Sequence, residues 1–411
     1  MHSAIAGWGV NGCLDISAIG GRLRAAKLSA AMRGALTLVA LAALVFVSAH
    51  AGAQTETALY SFTGTPDGAN PYYSTLVRDS AGDLYGTTLN GGANGLGSVF
   101  ELTATGTEKV LYSFAGSPDG ANPYAGLVMD KNGNLYGTTA AGGADSYGTV
   151  FELTATGTEK VLYSFAGPPD GANPYKALVL SKKSTLYGTT FNGGADGYGT
   201  VFSVTEKGVE KVLYSFTGGA DGARPSAGVI LDKKGNLYGT VTGGGDYGGG
   251  TVYELNPSLG TLSVLYAFTG GADGYEPYTP LIFDKKGNLY GTTAGGGAGC
   301  GTVYELLAPS WTTENVLHTF DYSDGCYADS GVVFGKKNNL YGTTYWGGAS
   351  GQGVVYELTA SGAFNDLHSF AGGADGAQPL SALVVDKQGY LYGTTTLGGS
   401  SGDGTVFKVV P

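Results

Sequence analysis

Glu108–Leu153 reads EKVLYSFAGSPDGANPYAGLVMDKNGNLYGTTAAGGADSYGTVFEL, and this one unit decides the fold. Its tetrapeptide Leu-Tyr-Gly-Thr returns seven times, with tyrosines at Tyr85, Tyr136, Tyr187, Tyr238, Tyr290, Tyr341 and Tyr392. The steps between them are 51, 51, 51, 52, 51 and 51 residues, a period that marks a repeat architecture. Within the unit, Glu108–Phe114 is rich in β-branched and aromatic residues and predicts a strand. Ser117–Pro123 is dense in turn formers, Tyr124–Met129 predicts a second strand, and Asp130–Gly133 a hairpin turn. Asn134–Thr139 and Thr149–Thr154 complete the set on either side of a glycine loop, Ala141–Gly148. No window has helical periodicity, and several strands are apolar on both faces, as sheets covered on both sides require.

Four short antiparallel strands per unit of about 50 residues predict a β-propeller blade. Residues 54–411 hold seven such units. The chain starts on an outer-type strand, Thr57–Phe62, and stops just after a strand of the preceding type, Thr405–Val409. One blade is therefore split between the two ends, and pairing those strands removes both open edges. The expected fold is all-β: a seven-bladed propeller of four-stranded blades closed by its terminal strands, a single domain over residues 54–411.

Upstream, Ala35–Val47 is 13 apolar or small residues, too short for a bilayer span and suited to a signal-peptide core. Arg33 precedes it and small-x-small sites follow, so residues 1–53 are expected to be a leader, cleaved before Gln54, with translation starting at Met32. Removing Arg22, Arg24, Lys27, Arg33 and Asp15 with the leader leaves 18 basic and 32 acidic side chains, a net charge near −14. That balance excludes the basic footprint of a nucleic-acid binder. Cys300 and Cys326 are the two cysteines beyond the leader, an even pair that predicts a disulfide in an oxidising compartment. A secreted or periplasmic monomer without a membrane anchor is expected.

The units LYSF…DGANP…LV.D..GNLYGTT..GG…GTVFEL, for instance Leu111–Leu153, resemble the GloVer tandem repeats, exported bacterial proteins named for Gloeobacter and Verrucomicrobia. The resemblance covers all seven units. It implies an exported repeat protein, often with a surface-anchoring tail, and implies no particular activity. This chain departs from it in lacking a recognisable C-terminal anchor. The Gly-Gly doublet is also similar to kelch propellers, without their blade tryptophan.

Candidate site residues come from the loops expected on one face. An Asp-Gly pair recurs at Asp67, Asp119, Asp170, Asp221, Asp273, Asp324 and Asp375. Such an aspartate caps its own turn, and a ring of seven can also bind hydroxyl-rich ligands. Calcium takes six to eight oxygens, which one aspartate per loop does not supply, so no metal is expected there. The position before the following proline varies most: Asn70, Asn122, Asn173, Arg224, Glu276 and Gln378, with Tyr327 where proline is absent. Arg224 and Trp346 are the asymmetric candidates for ligand contact. His318 and His368 replace a tyrosine of the outer strand and read as aromatic packing. No catalytic motif or cofactor fingerprint is present. The expectation is thus a non-enzymatic exported module binding a glycan or cell-envelope component. Its rival is a secreted polysaccharide hydrolase or lyase with an active site in the propeller funnel; one cleft where several unrepeated Asp, Glu, Arg or Tyr side chains converge separates the two, and a third reading, a purely structural surface module, predicts no such cleft and no ligand.

Overall fold

The computed structural model describes residues 56–411; the leader expected over 1–53, with its start at Met32, lies outside the described residues. Seven four-stranded antiparallel sheets form the blades of a propeller, and helix among the described residues is limited to two short 3-10 turns. Blade 1 runs outward through Val77–Arg78, Leu84–Thr88, Ser98–Leu102 and Glu108–Ser113, and blades 2 to 6 repeat this order. Blade 7 contributes Val384–Val385, Leu391–Leu397 and Thr405–Val409, and its outermost strand is the N-terminal Glu56–Ser61. Glu56 pairs with Val409 and Ser61 with Thr405, so the ring closes by the expected terminal exchange.

The innermost strands are shorter than the sequence suggests. In blade 2 only Val128–Met129 pair as strand, not the whole of Tyr124–Met129. Pro123 has no N–H to give a ladder. The inner segments also crowd one another around the axis: a Cβ added at Gly126 would stand 2.1 Å from the Thr75 carbonyl oxygen of blade 1.

Packing explains why the repeat is written as it is. The tetrapeptide glycine lies under an aromatic ring of the next strand, and a Cβ on Gly137 would meet Phe151 at 2.6 Å. Aromatic layers then stack between blades, as where Phe114 of blade 1 meets Phe151 of blade 2 edge-to-face at 5.1 Å, both fully buried. In five of the seven blades the tetrapeptide tyrosine donates to the glutamate opposite it, as Tyr85 does to Glu101 at 3.1 Å and Tyr238 to Glu254 at 2.8 Å. The tetrapeptide threonine donates across to the next blade, for example Thr87 Oγ1 to the Ala125 carbonyl at 2.7 Å. Six blade junctions carry such a bond. The seventh, at Thr394, does not, and that hydroxyl is buried without a partner.

Candidate active face and funnel

The Asp-Gly loops and the glycine loops share one face, since they pair with each other: Gly68 with Gly91, Gly120 with Gly142, Cys326 with Trp346. Each aspartate of the seven is engaged within its own loop. Tyr60, Tyr112, Tyr163 and Tyr214 donate to Asp67, Asp119, Asp170 and Asp221 at 2.9, 2.9, 2.9 and 3.0 Å. Tyr266 donates to Asp273 at 3.2 Å, while the Nε2 atoms of His318 and His368 lie 2.9 Å from Asp324 and Asp375. The same carboxylates accept the backbone N–H at the start of the loop, as from Ala115 to Asp119 at 2.8 Å. The outer-strand histidines thus do hydrogen-bonding work in place of tyrosine, beyond the packing expected of them.

Across most seams, a glutamate from the next blade's outer strand faces this pair. Glu108, Glu159, Glu210 and Glu314 face Asp67, Asp119, Asp170 and Asp273, and Glu56 faces Asp375. Burial first, and the neighbouring aspartate second, push each of these five carboxyls up to about 7. Their Oε1 atoms are sealed from solvent and have no hydrogen-bond partner.

The variable position has one backbone role in all seven blades, a left-handed conformation with φ between 53° and 59°. Asparagine tolerates that region best among residues with a side chain. Asn70, Asn122 and Asn173 also donate to a carbonyl of the preceding blade, at 3.1, 3.2 and 3.0 Å. Arg224, Glu276 and Tyr327 keep the turn but make no such bond, which leaves their side chains to the face. Arg224 is exposed, its guanidinium 5.6 Å from the Phe191 ring centre. Cys300 and Cys326 form a disulfide that joins adjacent loops at the blade 5–6 junction. Trp346 exchanges backbone hydrogen bonds with Cys326 and stacks edge-on against Tyr345 at 4.8 Å.

The funnel itself is where unrepeated chemistry collects. Aromatic rings line its mouth through blades 1 to 3: Tyr72 touches Tyr124 at 5.4 Å, Tyr124 touches Tyr175 at 4.9 Å, and Tyr175 meets Phe191 at 5.4 Å beneath Arg224. A cavity of about 240 Å³ in the channel is lined by Tyr73, Lys176, Asp329 and Ser330 over apolar Leu178 and Val229. Lys176 is 8% exposed and is the only buried lysine or arginine among the described residues. Its Nζ lies 3.1 Å over the Tyr73 ring. Burial pushes the Lys176 ammonium down, while Asp329 pulls it back up. Burial pushes the Asp329 carboxyl up, Lys176 lowers it, and Glu276 raises it again. Asp329 Oδ1 is sealed and has no hydrogen-bond partner, and its charge also reaches Tyr72, Tyr278 and Tyr345. Blades 1, 3, 5 and 6 therefore converge on one point.

Sequence reasoning passed over Lys176, Asp329 and Tyr73, yet a signal was present. Thirteen residues before each tetrapeptide threonine stand Ser74, Ala125, Lys176, Ala227, Thr279, Ser330 and Ser381, and only one is charged. The preceding position reads tyrosine in most blades and aspartate at Asp329 alone. Blade 1 has one residue more than the others between its proline and its inner leucine, Pro71 to Leu76 against Pro123 to Leu127. The extra residue is accommodated at Tyr73, whose φ is 48°, at the blade 7–1 junction where Thr394 lacks its bond. A larger cleft of about 750 Å³ between blades 5 and 6 on the opposite face is walled by Tyr290 and Glu305, which bond to each other as their equivalents do elsewhere.

A seven-bladed propeller with a charged, tyrosine-lined funnel is the class of protein these features define. The chain belongs to the Gloeobacter/Verrucomicrobia repeat family, whose pattern matches residues 43–184, 160–325 and 294–411. No curated protein matches it in sequence. Among solved structures it is similar to an oligogalacturonate lyase in complex with manganese, at 11% identity and TM-score 0.57, over 88% of this chain and 94% of that one. It is similar to the extracellular domain of a one-component system from B. thetaiotaomicron, at 10% identity and TM-score 0.54, covering 85% of this chain but only 40% of the other. A protein assigned as a 6-phosphogluconolactonase from Bacteroides uniformis matches at 18% identity and TM-score 0.51, over 78% and 89% of the two chains. At such identities the likeness is one of fold. No helix among the described residues is long and apolar enough to cross a membrane.

Proposed function

We propose that this protein is an exported, monomeric propeller that binds an oligosaccharide at the mouth of its funnel. The observation that carries the reading is the convergence of Lys176, Asp329, Glu276 and Arg224, all unrepeated, beside a run of half-buried tyrosines. Tyrosine faces suit the apolar faces of sugar rings, and charged groups around them fix hydroxyls or acidic substituents. A buried lysine is costly to desolvate and stands in one blade alone, so the repeated packing of the ring does not account for it. The disulfide supports an oxidising compartment. The Asp-Gly aspartates are occupied by their own loops, whereas Arg224 and the tyrosine run stand together around the Phe191 ring. In this reading they hold the ligand, with Trp346 at the blade 6 margin.

A second reading draws on the same cluster. A lysine whose charge is disfavoured beside a carboxyl is a pairing suited to general acid–base work, and the fold also houses lyases. One experiment separates the two: calorimetric binding and product assays against a panel of neutral and acidic oligosaccharides, on the native protein and the R224A, Y175A and K176M variants. Saturable binding without product, weakened at least ~10-fold by R224A or Y175A, supports the binding module. Reducing ends or unsaturated products that vanish in K176M establish the enzyme instead. Neither binding nor turnover on any glycan refutes both.

A further inference from the structure

The seven outer seams provide an internal comparison. In each, a side chain of one blade's outer strand holds the Asp of its exit loop, and a residue of the next blade's outer strand faces them. Four seams combine tyrosine, aspartate and glutamate, as in Tyr112, Asp119 and Glu159. At the blade 3–4 seam, Leu262 stands where the glutamate would be. At the blade 5–6 seam, His318 replaces the tyrosine, but Phe364 replaces the glutamate and stacks on the imidazole at 4.4 Å and 13°. Only the blade 6–7 seam brings a histidine, an aspartate and a glutamate together: His368, Asp375 and Glu56.

We propose that Glu56, His368 and Asp375 form a binding site for a single divalent metal ion of the zinc type. One ligand atom from each of the three lies within 4.8 Å of the other two. His368 Nε2 is 2.9 Å from Asp375 Oδ1, and Glu56 Oε1 is sealed from solvent with no partner of its own. One imidazole nitrogen with two carboxylates suits zinc and its neighbours better than calcium or magnesium, which prefer all-oxygen sets. Three protein ligands leave a fourth tetrahedral position for water. A cation satisfies both carboxyls where a single proton satisfies one. Glu56 arrives on the N-terminal strand, paired with Val409 of blade 7, whereas His368 and Asp375 belong to blade 6. A bound ion therefore ties the closing strand to a second blade. The ligands lie 319 residues apart in sequence at the widest, which is why no spacing motif announces them.

The test uses the untagged full chain, stripped with chelator and titrated with Zn2+ or Co2+. We expect one equivalent to bind, Co2+ to give the visible absorption of a four-coordinate ion, and the melting temperature to rise. His368→Tyr installs the residue that the repeat itself uses at this place, so it folds and should lose stoichiometric binding, the Co2+ spectrum and the thermal shift together. Glu56→Gln, which keeps shape and removes charge, should weaken binding by at least ~10-fold. Absence of saturable Zn2+ binding in the native protein overturns the site. So does binding that survives unchanged in both variants.

Discussion

Raising the pH from 5 to 8 should progressively loosen this ring, and the seam glutamates say by how much. Glu56, Glu108, Glu159, Glu210 and Glu314 are held at about 7 in the fold against 4.5 unperturbed. Between those values the folded protein binds more protons than the unfolded chain, so stability falls as pH rises through the window and levels off above it. A shift of that size in a fully sealed group is worth about 3 kcal/mol. These carboxyls are half-exposed, and water screening reduces each to about 1 kcal/mol, or about 5 kcal/mol for five seams. Urea denaturation at pH 5, 6, 7 and 8 reads this directly as a falling midpoint. The triple variant E108Q/E159Q/E210Q replaces three of the five carboxyls with an uncharged amide and should flatten more than half of the slope. A midpoint that holds steady or climbs over the range, or a triple variant with the native slope, would refute the account of these glutamates as carboxyls whose ionisation burial and a neighbouring aspartate disfavour.

Three further perturbations follow from the packing and the funnel. Gly137→Ala forces a methyl into the Phe151 ring and should cost about 1–3 kcal/mol in thermal or urea melts, with the fold retained. Removing the disulfide as C300A/C326A opens a loop of 26 residues and should lower stability by about 3.5 kcal/mol in the chain-entropy treatment, matched by adding reductant to the native protein. Deleting Tyr73 gives blade 1 the same length as its neighbours. It should let Thr394 reach a carbonyl, adding about 1 kcal/mol, while uncovering Lys176 and abolishing oligosaccharide binding.

Much of the architecture was legible because it is written seven times. The tetrapeptide spacing carries the blade count, and the outer-strand start at Thr57 with the stop after Val409 carries the closure. Repetition also makes Gly137 and its equivalents readable as packing requirements once the ring above them is seen. The funnel was hard to read for the opposite reason: Lys176, Asp329 and Tyr73 occur once each, and neighbours in the channel are far apart in the chain. The sequence-variable position is the residue before the proline. There the left-handed turn turns out to explain asparagine at 70, 122 and 173, and the charges of Arg224 and Glu276 reach the funnel groups. The seam at Glu56, His368 and Asp375 was hidden further, because the histidine was read as a substitute ring and not as a nitrogen.

The pairing of Glu56–Ser61 with Thr405–Val409 also sets an order of events. The ribosome makes the first of these strands before any blade exists and the second only after six blades have been made. Throughout synthesis and any passage across a membrane, the first strand has no partner, while six complete blades can assemble locally from contiguous sequence. Ring closure is therefore the last and least local step, and the one that an exit-stalled or clipped chain cannot take. Quality control needs to inspect only that single joint to learn whether the ring has closed.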